Sequence, residues 1–301
     1  MAELFTVFLN VILPVFGIVL LGAFLGKRLE LEARTLTRVA YYVFVPAFIF
    51  QAISTADMPL TNALKLVLFI VAAHLLTVFA AGGIGRMLGR SREMIAALVM
   101  IAAFGNVGNY GLAVIRFHLG DASVAPATIY FVAVSISAFI ICVGAAGWAH
   151  GGRRGAVWKV LKTPALWATL PAAVVSVGDY QVPLMLERMI GLLADAMIPV
   201  MLFALGLQLQ EQGRVHLNGD VLLGSAIRLF LAPTLTFAVA GMFTLGSIES
   251  VSGILQAAMP AAILVSIIAK ENNIVPAFVT SVVVVSTLAS VLSLTLLMVI
   301  L

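Results

Sequence analysis

Long apolar stretches alternate with short polar connectors along the whole chain. We place ten apolar stretches, numbered here as spans one to ten, near residues 4–26, 36–55, 63–86, 94–116, 126–148, 164–180, 188–210, 219–245, 251–270 and 275–300. A bilayer core of about 30 Å needs roughly 20 apolar residues in helical form. The ten-residue alternation typical of a membrane barrel is absent from this sequence. The pattern therefore predicts an all-α polytopic membrane protein with ten transmembrane helices.

Spans four and nine are each interrupted near the middle by residues that disfavour a continuous helix. The interruption in span four contains Gly105, Asn106, Gly108, Asn109, Tyr110 and Gly111, and the interruption in span nine contains Pro260 and Ala261. Glycine lowers helix stability by about 1 kcal/mol relative to alanine, and proline removes an amide hydrogen and clashes with the preceding turn. Irregular backbone persists inside a bilayer only where protein or a water-filled cavity satisfies its hydrogen bonds. We therefore expect the helices of spans four and nine to be broken and to cross at a solute site.

The predicted crossing offers groups that bind an anion. Half-helix N-termini carry partial positive charge, whereas the C-terminal ends present carbonyl oxygens that suit a cation. The side-chain amides of Asn106 and Asn109 can contact a ligand or satisfy freed backbone groups. A stripe of glycines used only for close helix packing is the alternative interpretation. Our candidate substrate-binding residues are Gly105, Asn106, Gly108, Asn109, Tyr110, Pro260, Ala261 and Arg228.

Arg228, Asp195 and His74 lie deep inside the predicted spans, where ionisable side chains are costly and indicate function by default. Arg228 in span eight is predicted to fix a carboxylate substrate or to neutralise an internal acid. Asp195 in span seven matches it in depth, so the two form either a static ion pair or a functional pair in which Asp195 carries a coupling proton. His74 in span three can titrate near neutral pH, with a packing role as the alternative.

Composition restricts the class of protein further. With 62% hydrophobic and 10% charged residues and a mean hydropathy of +1.16, the chain has too little polar surface to cover a soluble globule. The net charge of +4 arises largely from connector residues, so we expect no nucleic-acid partner. The lone Cys142 excludes a disulfide framework or a cysteine zinc cluster. No spacing of metal ligands is present, and we expect no cofactor, no metal and no enzymatic activity.

Basic residues predict the orientation of the chain, because positive connectors stay on the cytoplasmic side. The odd-numbered connectors hold Lys27, Arg28, Arg34, Arg38, Arg86, Arg90, Arg92, Arg153, Arg154, Lys159, Lys162, Arg214 and Lys270, whereas the even-numbered connectors hold Lys65, Arg116 and Arg188. Both termini are therefore expected to face outward.

The two halves of the chain share a faint similarity. The VPAFIF segment at 45–50 in span two parallels IPVMLF at 198–203 in span seven, and Pro126 and Pro276 open spans five and ten. Short matches of this kind also arise by chance in such biased sequence. Because five helices per half is an odd number, the second half must begin on the opposite side of the membrane. We therefore predict two inverted five-helix repeats, residues 1–148 and 164–301.

Several motifs resemble those of the auxin efflux carrier family. The segment NVGNYGLA at 106–113 resembles its fourth-span signature, Asn-x-Gly-x-x-Gly-x-Pro, although Ala113 stands where that family has proline. Met259-Pro260 followed by the AKE sequence at 269–271 is similar to the ninth-span counterpart. Lys162-Thr163-Pro164, and Pro199 followed by LGLQL at 205–209, also fit the family pattern.

The resemblance implies an architecture and an activity. Members of the family have ten helices with outward termini, a scaffold of spans one, two, six and seven that often forms the dimer surface, and a transport unit of spans three to five and eight to ten. Their substrates are small organic anions, including auxin and dicarboxylates. The resemblance thus implies a homodimeric carrier of the bacterial inner membrane, coupled to protons, sodium or the membrane potential.

We therefore predict a secondary active transporter of a small carboxylate or dicarboxylate that works by alternating access. An anion channel and a non-transporting membrane sensor are the alternatives. A channel is disfavoured because the sequence has no ring-forming filter motif and because two broken helices suit an occluded site better than an open pore.

Overall fold

The computed structural model describes residues 2–150, 164–212 and 214–301, and the described part of the chain is helical without a β-sheet. Its helices are α1 (Ala2–Arg28), α2 (Ala33–Ser54), α3 (Leu60–Met87), α4 (Arg92–Ala103), α5 (Leu112–Leu119), α6 (Asp121–His150), α7 (Pro164–Val177), α8 (Leu184–Gln210), α9 (Gly219–Ala240), α10 (Ser247–Ala257), α11 (Ile263–Glu271) and α12 (Pro276–Ile300). A π turn over Val107–Gly111 precedes α5.

The helices are long and apolar enough for a membrane protein. In the described ranges, seven of them reach membrane-spanning length and hydropathy, namely α1, α2, α3, α6, α8, α9 and α12. The shorter α7 has 14 residues. The chain is therefore an all-helical membrane protein, and the count of ten crossings and the inverted repeat stay predictions. Arg153, Arg154, Lys159, Lys162 and Thr163, which entered the orientation and motif arguments, lie outside the described residues.

Spans four and nine are interrupted where the sequence places their glycines and proline. Helix α4 ends at Ala103 and helical structure resumes at Val107, while α10 ends at Ala257 and α11 begins at Ile263. Each predicted span is thus divided into two half-helices. We call residues 104–106 and 258–262 the junction.

Three long helices contain a π turn that ends two residues before a proline. These turns are Phe8–Ile12 before Pro14, Ala40–Phe44 before Pro46, and Ile227–Leu231 before Pro233. Proline cannot donate to the helix, and its ring clashes with the carbonyl four residues upstream. A π turn widens the helix at that place and re-aims its side chains, and such turns are frequent at functional sites. The third turn carries Arg228.

The helices pack in two groups. Helix α1 packs against α8, and α2 packs against both α7 and α8. Helices α3, α4 and α6 pack on one another, α9 packs on α3, α10 and α12, and α11 packs on α12. Two glycines let α1 and α8 approach closely. A Cβ on Gly206 would lie 2.7 Å from the Ala23 amide nitrogen, and one on Gly22 would lie 2.9 Å from the Phe203 carbonyl carbon.

We predict that Gly206→Ala destabilises the protein, because the added methyl would meet backbone atoms of α1 that cannot move aside as a side chain can. Overpacking of this kind costs about 1–3 kcal/mol, so the thermal unfolding midpoint in detergent should fall by several degrees. Gly17→Ala is the matched control, since a Cβ there meets nothing within 4 Å. Equal midpoints for the two variants would contradict this account of the α1–α8 contact.

Candidate functional site

The two interruptions satisfy each other's backbone hydrogen bonds. Gly105 and Ala261 form an isolated antiparallel bridge. The Asn106 amide donates to the Pro260 carbonyl at 2.7 Å, and the Ala262 amide donates to the Phe104 carbonyl at 2.9 Å. Irregular backbone at membrane depth requires partners of this kind. The junction is therefore a paired structure rather than two independent breaks.

Four half-helix ends meet around this pairing. Helices α4 and α10 end at Ala103 and Ala257, and the following half-helices begin at Val107 and Ile263. The first amides of a helix and its last carbonyls have no partner within the helix. They carry partial positive and partial negative charge, respectively. The junction thus presents donors on one side and carbonyl acceptors on the other.

The guanidinium of Arg228 binds the carbonyl side of the junction. Its Nε donates to the Met259 carbonyl at 2.7 Å, its Nη1 to the Ala102 carbonyl at 2.9 Å and its Nη2 to the Gln256 carbonyl at 3.4 Å. The residue is 3% exposed. Gly105 makes room for it, because a Cβ at that position would lie 2.6 Å from the guanidinium carbon. One side chain from α9 thereby joins both C-terminal half-helix ends.

In the described part of the chain, no acidic side chain is buried beside this charge. Among the buried residues of the described chain, Arg228 carries the only permanent charge, and none is Asp or Glu. Asp195 is exposed on α8, and the two salt bridges found in the described part are Arg90–Asp220 and Arg116–Asp121. The Asp195–Arg228 ion pair considered from depth alone is therefore not present in the structure, because Arg228 is held by backbone carbonyls instead.

Two asparagine amides lie on the donor side of the junction. Asn106 is 5% exposed and Asn109 is half-buried. The Asn106 backbone carbonyl accepts from the Gly111 amide at 3.0 Å and so starts the π turn. Within the described part of the chain, neither asparagine side chain makes a hydrogen bond. Both amides are available to a ligand beside the first amides of the turn.

The glycine stripe serves packing at two of its three positions. A Cβ on Gly108 would lie 2.7 Å from the ring of Phe131, and one on Gly111 would lie 3.1 Å from the side chains of Gln256 and Met259. The packing interpretation therefore describes Gly108 and Gly111, whereas Gly105 lies in the irregular segment against Arg228.

The remaining predicted residues occupy different places. Tyr110 is buried, its hydroxyl accepts from Ser290 at 3.4 Å, and its ring meets Phe16 of α1 edge-on at 5.7 Å. Tyr110 therefore packs between the junction and α1. His74 is buried on α3 within the electrostatic reach of Arg228, and its Nε2 has no hydrogen-bond partner. Of the two candidates for a coupling group, His74 is buried and Asp195 is exposed.

Sequence reasoning missed two polar residues that support the junction. Ser286 of α12 accepts a hydrogen bond from the Ala261 amide at 3.2 Å, and Gln256 donates to the Ala127 carbonyl at 3.2 Å. Gln256 lies within the segment singled out in span nine and is a conspicuous polar residue there. Ser286 gives no such signal, because hydroxyl residues recur along the last helix and bind its own carbonyls.

A cavity of about 480 Å³ lies apart from the junction. It is bounded by the end of α2, the beginning of α6 and the beginning of α10, and its polar lining includes Asp57, Asp121 and Glu249. None of the predicted substrate-binding residues lines it.

The chain is similar to proteins named as membrane transporters. The model of a family described as "Membrane transport protein" matches residues 154–298. An "Uncharacterized transporter" of Methanothermobacter thermautotrophicus is 27% identical over 291 residues, covering 94% of this chain and 95% of the relative. A "Putative malonate transporter" of Rhizobium meliloti is 22% identical over 300 residues, covering 95% and 93%. A "Probable auxin efflux carrier component 1b" of Oryza sativa subsp. japonica is 29% identical over 127 residues, covering 40% and 23%.

We predict that Gly105→Ala disrupts the junction, because its Cβ would overlap the guanidinium of Arg228. The arginine would have to leave its carbonyl partners, and a buried charge that loses hydrogen bonds costs about 1–3 kcal/mol or more. The thermal midpoint should fall by several degrees. Gly83→Ala on α3 is the control, since a Cβ there meets nothing within 4 Å. An unchanged midpoint for Gly105→Ala would show that Arg228 is not confined as described.

Proposed function

We propose that this chain is a secondary active transporter of a small organic anion, like the membrane transporters and auxin efflux carriers to which it is similar. The observation that carries the proposal is the charge of the junction. Arg228 is buried there, and the described part of the chain places no buried acid beside it. Burying a charge is costly unless it is paired and hydrogen-bonded. A carboxylate substrate supplies the missing negative charge.

The donor groups around the junction suit a carboxylate. An arginine has five N–H donors, and Arg228 directs three of them at carbonyls, which leaves two for a ligand. Asn106, Asn109 and the first amides of the Val107–Gly111 turn add neutral donors. We propose these groups as the substrate site, together with the backbone at Gly105, Gly108, Pro260 and Ala261. A mono- or dicarboxylate is the substrate class, in keeping with the relative named for malonate.

The proposed movement takes place between the two packed groups of helices. We assign α1, α2, α7 and α8 to the scaffold and the other helices to the transport unit, with residues 1–148 and 164–301 as inverted repeats. The junction borders the scaffold, since the Val107–Gly111 turn packs on α8 and Tyr110 meets Phe16 of α1. A shift of the transport unit along this border would expose the donor side of the junction to either side of the membrane.

The 480 Å³ cavity lies where α2 of the proposed scaffold meets α6 and α10 of the proposed transport unit. The basic-residue pattern places the end of α2 and the beginnings of α6 and α10 outside, and the cavity lies between them. We propose it as the outer mouth. Its carboxylates repel an anion, so we assign binding to the positively charged junction instead.

The proposal also covers the orientation of the chain in the membrane and its oligomeric state. We place the protein in the bacterial inner membrane with both termini outward, as a homodimer through the scaffold helices. Of the two groups considered for a coupling proton, His74 and Asp195, we propose His74, because it is buried with an Nε2 that has no hydrogen-bond partner, whereas Asp195 is exposed on α8.

The test is uptake of a radiolabelled mono- or dicarboxylate into proteoliposomes under proton and voltage gradients. Wild-type protein should accumulate the anion. Asn106→Ala and Asn109→Ala should each reduce uptake about tenfold or more, since losing a hydrogen bond to a charged group costs about 1.5–3 kcal/mol. Asn62→Ala is the control, because Asn62 is exposed at the beginning of α3.

Three outcomes contradict the proposal. Absence of flux for every carboxylate would leave a sensor role, single-channel currents would establish a channel, and full activity of both junction asparagine variants would place the site elsewhere.

A further inference from the structure

We propose that Arg228 takes the place of a bound coupling cation at the junction, so that anion transport requires no sodium. The uptake part of this inference rests on the proposed function, whereas its binding part does not. In this inference Arg228 acts through the carbonyls of the two interrupted spans that it binds, apart from the two N–H donors that the proposed function leaves for the substrate.

The three carbonyls come from the ends of two different half-helices. Ala102 lies in the last turn of α4, Gln256 lies in the last turn of α10, and Met259 lies just after α10. Unwound carbonyls and half-helix C-termini are the groups that coordinate cations in transporters with broken helices. In this chain a tethered guanidinium lies among them at 2.7–3.4 Å. A sodium ion at the same carbonyls would have to displace it.

In the described part of the chain, no buried acidic side chain would offset the charge of a second cation. The buried residues of the described chain include no Asp or Glu. Any ion close to Arg228 would therefore experience like-charge repulsion in a medium of low dielectric constant. Arginine also keeps its charge under all ordinary conditions, so the carbonyls stay neutralised whether or not substrate is bound.

A π turn in α9 and the space beside Gly105 accommodate the arginine in this position. Arg228 lies in the π turn that precedes Pro233, and Gly105 leaves the space that its guanidinium fills. His74 of α3 and Tyr130 of α6 are two titratable groups that interact electrostatically with Arg228. Neither supplies a negative charge in its neutral form, so they do not replace the acid that a sodium site would use.

The first experiment measures thermal unfolding of purified wild type, Arg228→Ala and Arg228→Lys in sodium chloride and in choline chloride of equal ionic strength. Wild type should have the same midpoint in both salts. Arg228→Ala should lose several degrees and regain part of the loss when sodium or methylguanidinium is added. Arg228→Lys should lie between them, because it keeps the charge but lacks the planar set of donors.

Arg90→Ala is the matched control, since Arg90 pairs with Asp220 at the surface and the added cations should not affect its midpoint differently from wild type. Specific stabilisation of wild type by sodium would overturn the inference. So would an Arg228→Ala protein that folds and responds to no cation. If Arg228→Ala does not fold, the Arg228→Lys midpoint and the sodium dependence of wild-type uptake decide the matter.

The second experiment replaces external sodium by choline during uptake by wild-type proteoliposomes. Choline keeps the ionic strength and hence the screening of charges constant, so the rate should be the same in both salts. Uptake that requires sodium would overturn the inference and leave the carrier function intact. Absence of carboxylate uptake, combined with the expected midpoints, would overturn the carrier function and leave the assignment of Arg228 intact.

Discussion

Pairing of backbone groups between two interrupted helices is the interaction on which the rest of the structure depends. A break in one membrane helix leaves amides and carbonyls without partners, and lipid supplies none. Here the breaks at 104–106 and 258–262 supply them to each other through the Gly105–Ala261 bridge. Neither break alone provides partners for these backbone groups, so the two halves of the chain are coupled at the junction. The donor and acceptor sides of the junction are a direct result.

The charge distribution at the junction follows from this pairing. Carbonyl ends of two half-helices converge, and the guanidinium from α9 fills the place that they create. The same arginine needs Gly105 to be small, and it lies in the π turn before Pro233. In the proposed carrier, an anionic substrate would meet a cation that is covalently attached to the chain. Under that proposal, recognition of the substrate and integrity of the fold would depend on the same side chain.

Much of the architecture was predictable because membrane spans depend on local composition. The apolar stretches, the two breaks and the polar residues Asn106 and Asn109 are visible in sequence, since glycine, proline and amide side chains each leave a recognisable pattern. The partners of Arg228 were not predictable. They are carbonyls, which every residue has, so no residue type marks Ala102, Gln256 or Met259. The support of Ala261 by Ser286 was hidden for a similar reason, because serine is common along α12.

The sequence by itself determined that this is an all-helical membrane protein with interruptions in spans four and nine, because hydrophobic length and helix-breaking residues act locally. Only the tertiary structure decided that Arg228 binds carbonyls instead of Asp195, and that His74 is buried while Asp195 is exposed. Depth in the membrane can be counted along a helix, whereas the direction of a side chain depends on helix rotation and π turns. Those depend on packing between distant segments, such as α1 on α8, and packing is a property of the folded chain.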